Sequence, residues 1–243
     1  MAARSGPVAV LTCFEYSIKD NMYVQGDLVH VINFLLSRRF KLHNIHIITD
    51  LNPEMESDSL RTLFEYMIKS ECFYRVSNLL DYTDTLMNVV TSKNVIFMYW
   101  SCHATRAGII CPNRNGKLQV CPAKTLTNII MLAENDKILC IIDCCHAGSV
   151  IDERIFPPNV IKKDMIFVFS CTPEQNSGVM INLETSLFTY YCFRGIDSAG
   201  EVLFSDMNSV FSEISEHRRL EGKSEQTPMI RTTKNRNNFF SWF

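Results

Sequence analysis

Asp143-Cys144-Cys145-His146-Ala147-Gly148 places an acid, two thiols, an imidazole and a small-residue turn directly behind the apolar run Ile138-Leu139-Cys140-Ile141-Ile142. A second polar terminus, Ser101-Cys102-His103, follows Asn94-Val95-Ile96-Phe97-Met98-Tyr99-Trp100. A thiol becomes a strong nucleophile when a base or a favourable field draws off its proton, and a positioned imidazole can return that proton to a leaving amine. His103 and Cys145 are therefore candidates for a Cys-His dyad if the two runs are neighbouring strands. Cys144 is expected to point the other way, because alternate residues leaving a strand face opposite sides.

The remaining thiols and imidazoles carry blander readings. Cys140, Cys171 and Cys192 are expected to be small core hydrophobes, and Cys144 shares that default. His146 is expected to be structural, while His30, His43 and His46 carry no signal beyond helix and strand surface. There is no CxxC and no paired ligand spacing, so no zinc site is expected. A thiol enzyme of the α/β-hydrolase type needs glycine two residues on either side of its nucleophile, whereas Cys145 has Asp143 and Ala147.

The elements that must position these groups alternate along the chain. Val8 to Thr12 forms an apolar strand ending at Cys13, and Leu28, Val29, Ile32, Leu35 and Leu36 recur at helical spacing. Asn44 to Thr49 is a second strand, Asp50 to Pro53 a turn, and Leu60, Leu63, Phe64, Met67 and Ile68 an apolar helical stripe. The stretch from Glu71 to Asp84 is irregular, with a helix from about Thr85 to Thr91 before the strand ending at Trp100. Gly108 to Cys111 and Lys117 to Val120 flank Pro112 to Gly116, whose Asn-Gly pair suits a hairpin turn. Leu126 to Leu132 forms a helix, Met165 to Ser170 a strand, Leu187 to Phe193 and Met207 to His217 helices, and Met229 to Thr232 a last strand.

The run at 138–142 is apolar on both faces, as a strand in mid-sheet must be when helices cover each side. Repeated β-α-β units imply an α/β fold with a mainly parallel sheet between two helical layers, and polar strand ends that share one edge. Length, 243 residues at 47% hydrophobic, suits one domain, 1–243, with a sizeable core. The net charge of -2 supports neither nucleic acid nor an anionic membrane as a partner. No apolar run is long enough to span a bilayer and Met1 to Pro7 lacks a signal-peptide core, so the chain is expected to be cytoplasmic, its ten cysteines reduced.

The order of these motifs resembles the caspase and metacaspase superfamily of cysteine peptidases. The likeness runs through Ser-x-His after a strand, a Gly-Ile-Ile hairpin, and a strand ending Asp-x-Cys-His-x-Gly; DCCHAG is close to the metacaspase form. It continues in Ser170 to Gln175, Ser186 to Thr189 and Gln226 to Met229, and covers nearly the whole chain. The resemblance implies the six-stranded caspase-like three-layer sandwich, a polypeptide substrate and no cofactor. Cys145 is then the nucleophile and His103 the general base and acid. The backbone N–H groups of Ala104 and Cys145 would form the oxyanion hole. The family usually has glycine on both sides of the histidine, where this chain has Cys102 and Ala104. An alanine forced to positive φ would be strained, and losing one oxyanion donor costs about 10² to 10³ in rate. A catalytically inactive homologue acting as a regulatory or scaffold protein is the alternative reading.

Asp143 falls where the resemblance places the first substrate pocket, as in metacaspases, with Ser101 lining it. A buried acid there would select Arg or Lys and reject an acidic residue; the other reading is that Asp143 caps its turn. Asn21 to Asp27 and Glu174 to Gly178 hold no arginine to select an aspartate. Ala104 to Val120 contains no Asp or Glu, so neither calcium nor another metal is expected. Maturation cleavage, if any, is expected after Arg154, Lys162 or Lys163, in a segment opened by Pro157-Pro158. The chain is expected to be a monomer or a homodimer through its last strand.

Overall fold

A computed structural model describes residues 6–16, 24–113, 119–155, 163–193 and 207–233. The chain runs β1 (Val8–Cys13), α1 (Val24–Ser37), β2 (Ile45–Thr49), α2 (Asp58–Lys69), β3 (Phe73–Arg75), α3 (Leu79–Ser92) and β4 (Val95–Ser101). It continues through β5 (Ala104–Thr105), β6 (Gly108–Cys111), β7 (Gln119–Pro122), α4 (Ala123–Met131), β8 (Lys137–Asp143) and β9 (Asp164–Phe169). The last elements are β10 (Val179–Met180), β11 (Thr185–Ser186), α5 (Leu187–Phe193), α6 (Met207–Leu220) and β12 (Met229–Thr232).

The main sheet has seven strands in the order β12-β9-β8-β4-β1-β2-β3. Every neighbour pair is parallel except β12 with β9. The interior strands are buried on both faces, and their side chains alternate between two cores. Ile138, Cys140 and Ile142 join α3 and α4 on one face, through Leu86, Val90, Leu126 and Ile130. Leu139 and Ile141 join α1, α2, α5 and α6 on the other, through Leu28, Phe64, Phe188 and Ile214. Each such aliphatic side chain contributes roughly 1.5 to 3 kcal/mol by leaving water.

Three expectations are corrected. The sheet has seven strands rather than six, because Phe73–Arg75 pairs with β2 inside the stretch read as irregular. Three residues, half-buried or exposed, are too short a run to show a period. The helix placed at Thr85 to Thr91 starts at Leu79, where Asn78 caps it by accepting the Asp81 N–H at 3.0 Å. His46 is core rather than surface: it is 3% exposed, Nδ1 lies 3.0 Å from the Tyr74 hydroxyl, and burial pushes its pKa down to about 4.

The hairpin is present as β6 with β7, and β5 extends it to three strands. Its Asn115-Gly116 turn lies outside the described residues, as do Lys117, Leu118, Pro157, Pro158 and Lys162. All ten cysteines are free. Among the described residues no helix is long and apolar enough to cross a membrane.

Candidate active site

Parallel pairing in register brings the polar strand ends to one edge. Ser101 at the end of β4 pairs with Asp143 at the end of β8, and with Cys13 of β1 on its other side. The residues that follow, Cys102-His103 and Cys144-Cys145, therefore leave the sheet side by side. A cleft of about 200 Å³ opens there, lined by Ser101, His103, Asp143, Cys145, Gly178 and Ser186 among others. The two members of the expected dyad thus share one cavity. Cys144 is 2% exposed and belongs to the core with Cys102, whereas Cys145 is half-buried. Burial raises the Cys145 pKa, and a hydrogen bond to Ser177 opposes the rise.

The turn that carries Cys145 is held from behind. His146 adopts the left-handed conformation at φ 55°, ψ 28°. Its N–H donates to the Gln175 carbonyl at 2.8 Å, and Nδ1 lies 2.8 Å from the Pro173 carbonyl oxygen, so the ring is turned to structure. Gly148 is fixed in kind, since a Cβ there would lie 2.7 Å from the Pro173 ring.

His103 rests on a residue the sequence did not single out. Tyr16 sets its ring 4.9 Å from the His103 ring at a tilt of 31°, accepts the His103 backbone N–H at 2.9 Å, and donates its hydroxyl to the Ile110 carbonyl at 2.6 Å. Tyr16 itself sits at φ 58°, where the Asp50 carboxylate holds the Glu15 and Tyr16 N–H groups, each at 2.8 Å. Ala104 begins β5 opposite Ile109, and its φ is not positive. The strain expected of an alanine at this position is therefore absent.

Two carboxylates serve the cleft, Asp143 in its lining and Asp27 behind Ser101 and Ser186, and only the first was legible. Asp143, 2% exposed, accepts hydroxyls of Ser177 at 2.9 Å, Thr189 at 2.7 Å, and Ser186. These donors are side chains from distant segments rather than the backbone of its own turn, so the capping role does not describe it. Asp27 of α1, also 2% exposed, accepts the Ser101 and Thr185 hydroxyls at 2.6 Å and the Ser186 N–H at 2.7 Å. Ser101 lines the cleft itself with Asp27 hydrogen-bonded behind it, and Ser186 bridges both acids. Burial pushes the Asp27 pKa up to about 7, with the Asp143 charge adding to it, and burial likewise raises Asp143. Among the described residues every hydrogen-bond partner of the pair is a hydroxyl or a backbone N–H, and none is a cation.

An open parallel sheet with a thiol and an imidazole at adjacent strand ends is the architecture of a caspase-like cysteine peptidase. The caspase domain family model matches residues 52–240, and the chain belongs to that family. Among solved structures, caspase-1 from Spodoptera frugiperda shares the fold at a TM-score of 0.55 and 13% identity, over 93% of this chain and 85% of that one. No curated protein matches the sequence.

Proposed function

We propose that the chain is an active endopeptidase, folded as one peptidase domain, that cuts polypeptides after Arg or Lys with Cys145 as nucleophile and His103 as general base and acid. The observation that supports the specificity is the buried Asp27–Asp143 pair, Asp143 in the cleft lining and Asp27 behind it, surrounded by hydroxyls and without a counter-charge among the described residues. Two buried carboxylates cannot both ionise cheaply, and burial has already raised both. A guanidinium or ammonium entering the cleft supplies the missing charge and lets both carboxylates ionise. A substrate aspartate would add a third negative group and be rejected.

With a basic side chain seated there, its carbonyl is presented to Cys145. Burial keeps the free thiol protonated, so His103 takes that proton as sulfur attacks the carbonyl carbon. The N–H groups of Cys145 and Ala104 receive the oxyanion. His103 then passes the proton to the leaving amine, and water, activated by the same imidazole, releases the acyl group and regenerates the thiol. The scaffold reading has one observation in its favour, the raised Cys145 pKa.

A positional peptide library on the purified chain beside Cys145→Ala tests the proposal. Cleavage after Arg or Lys, absent in Cys145→Ala and in His103→Ala, is the expected result. Cleavage after Asp, or turnover that survives Cys145→Ala, would contradict it.

A further inference from the structure

Ser177, Gly178 and Val179 form one wall of the cleft, and the segment Glu174 to Gly178 contains no cation of its own. One reaches it from elsewhere in the chain. A Cβ on Gly178 would lie 2.6 Å from Nη1 of Arg218 and 3.3 Å from its Cζ, with Gln226 Oε1 at 3.1 Å. The guanidinium thus occupies the space beside the wall that any other residue at 178 would fill with its own side chain. Arg218 lies in the last turn of α6 and is half-buried. Its Nε donates to the Ser224 carbonyl at 2.8 Å and Nη2 to the Ser224 hydroxyl at 2.9 Å, which fixes the plane of the fork. Nη1 has no acceptor among the described residues. The charge is also felt at the nucleophile: burial raises the Cys145 pKa most, and Arg218 is among the groups that lower it.

We propose that Arg218 forms a second subsite of the cleft, one that binds a carboxylate side chain flanking the basic residue held by Asp27 and Asp143. The inference rests on the basic-pocket reading for where the peptide lies. Two opposite charges in one cleft make a paired code, basic in the deep pocket and acidic at the Gly178 wall. The guanidinium is already immobilised by Ser224, so a carboxylate pairing with Nη1 loses little further side-chain freedom on the protein side. The subsite is partly open to water, which limits its selectivity to about fivefold.

The test measures binding of blocked peptides to the full chain carrying Cys145→Ala, so that turnover is not needed. The peptides share one Arg and differ only in Glu or Gln beside it, with both flanks sampled. Affinity about fivefold higher for Glu on one flank is expected. Arg218→Gln should equalise the two peptides, Arg218→Lys should restore part of the preference, and Arg218→Glu should favour a Lys-flanked peptide instead. Equal affinities in the parent, or a Glu preference that survives Arg218→Gln, overturns the subsite. Replacing the Arg of both peptides by Gln separates this from the deep pocket. If affinity does not fall, the basic-pocket reading fails, whereas a Glu preference abolished by Arg218→Gln still supports the subsite.

Discussion

Asp27 shows how a residue central to the proposed pocket can be invisible in a sequence. It lies in the first turn of a helix, an ordinary place for an acid, and its partner Thr185 stands 158 residues further on. Asp143 was legible because it ends the strand that leads to Cys145, the proposed nucleophile. The pair makes a pH prediction with a definite sign. An ordinary Asp titrates near about 3.9, whereas burial holds Asp27 up to about 7 in the fold. The folded chain binds that proton more tightly, so the site's contribution to stability is complete below about pH 4 and is lost as pH rises towards about 7. A cation needs the ionised pair, so affinity for an arginine amide should rise between about pH 6 and 8, with proton release on binding. Calorimetry in buffers of different ionisation enthalpy measures both, and an affinity independent of pH would remove the pair from the site.

At the scale of elements, the long apolar strands declared themselves because burial on both faces leaves no other reading of such runs. β3 and the first turn of α3 did not, since one is a half-exposed edge of three residues and the other opens with Leu80 turned out to solvent, which breaks the apolar stripe. The cleft wall was harder still, because much of its support is a side chain from the approach to β12. Gln226 is fully buried; its amide donates to the Ser170 carbonyl at 3.0 Å and to the Ser177 hydroxyl at 3.3 Å, while its Oε1 accepts the Gly178 N–H at 2.8 Å. Gln226→Ala strands a buried N–H and a buried carbonyl, at a cost of about 2 to 4 kcal/mol. Urea denaturation should show that loss, and a change below about 0.5 kcal/mol would show that the wall does not depend on Gln226.

For the molecule as a whole, the proposed basic pocket and the loop after Cys145 constrain one another. Arg154 stands with 89% of its side chain exposed and, among the described residues, is tied only to Asp152 in the same loop. Lys163 is half-buried and donates to the Met131 carbonyl at 2.9 Å and to the Ala133 carbonyl. Of these two cations only Arg154 can enter another copy's cleft without breaking the fold. Mass spectrometry of the concentrated protein should find a cut after Arg154 and none after Lys163, and no cut in Cys145→Ala. Cuts after Asp152 or Asp164 would contradict a basic pocket. The most direct test of the site is covalent capture of the native chain by two peptidyl electrophiles that differ only in carrying Arg or Asp at the reactive end. The Arg reagent should add one mass increment at Cys145, be blocked by Cys145→Ala and weakened by Asp143→Asn, and outpace the Asp reagent at least tenfold. Modification at Cys144, or equal rates for the two reagents, would contradict a Cys145 nucleophile served by a basic-residue pocket.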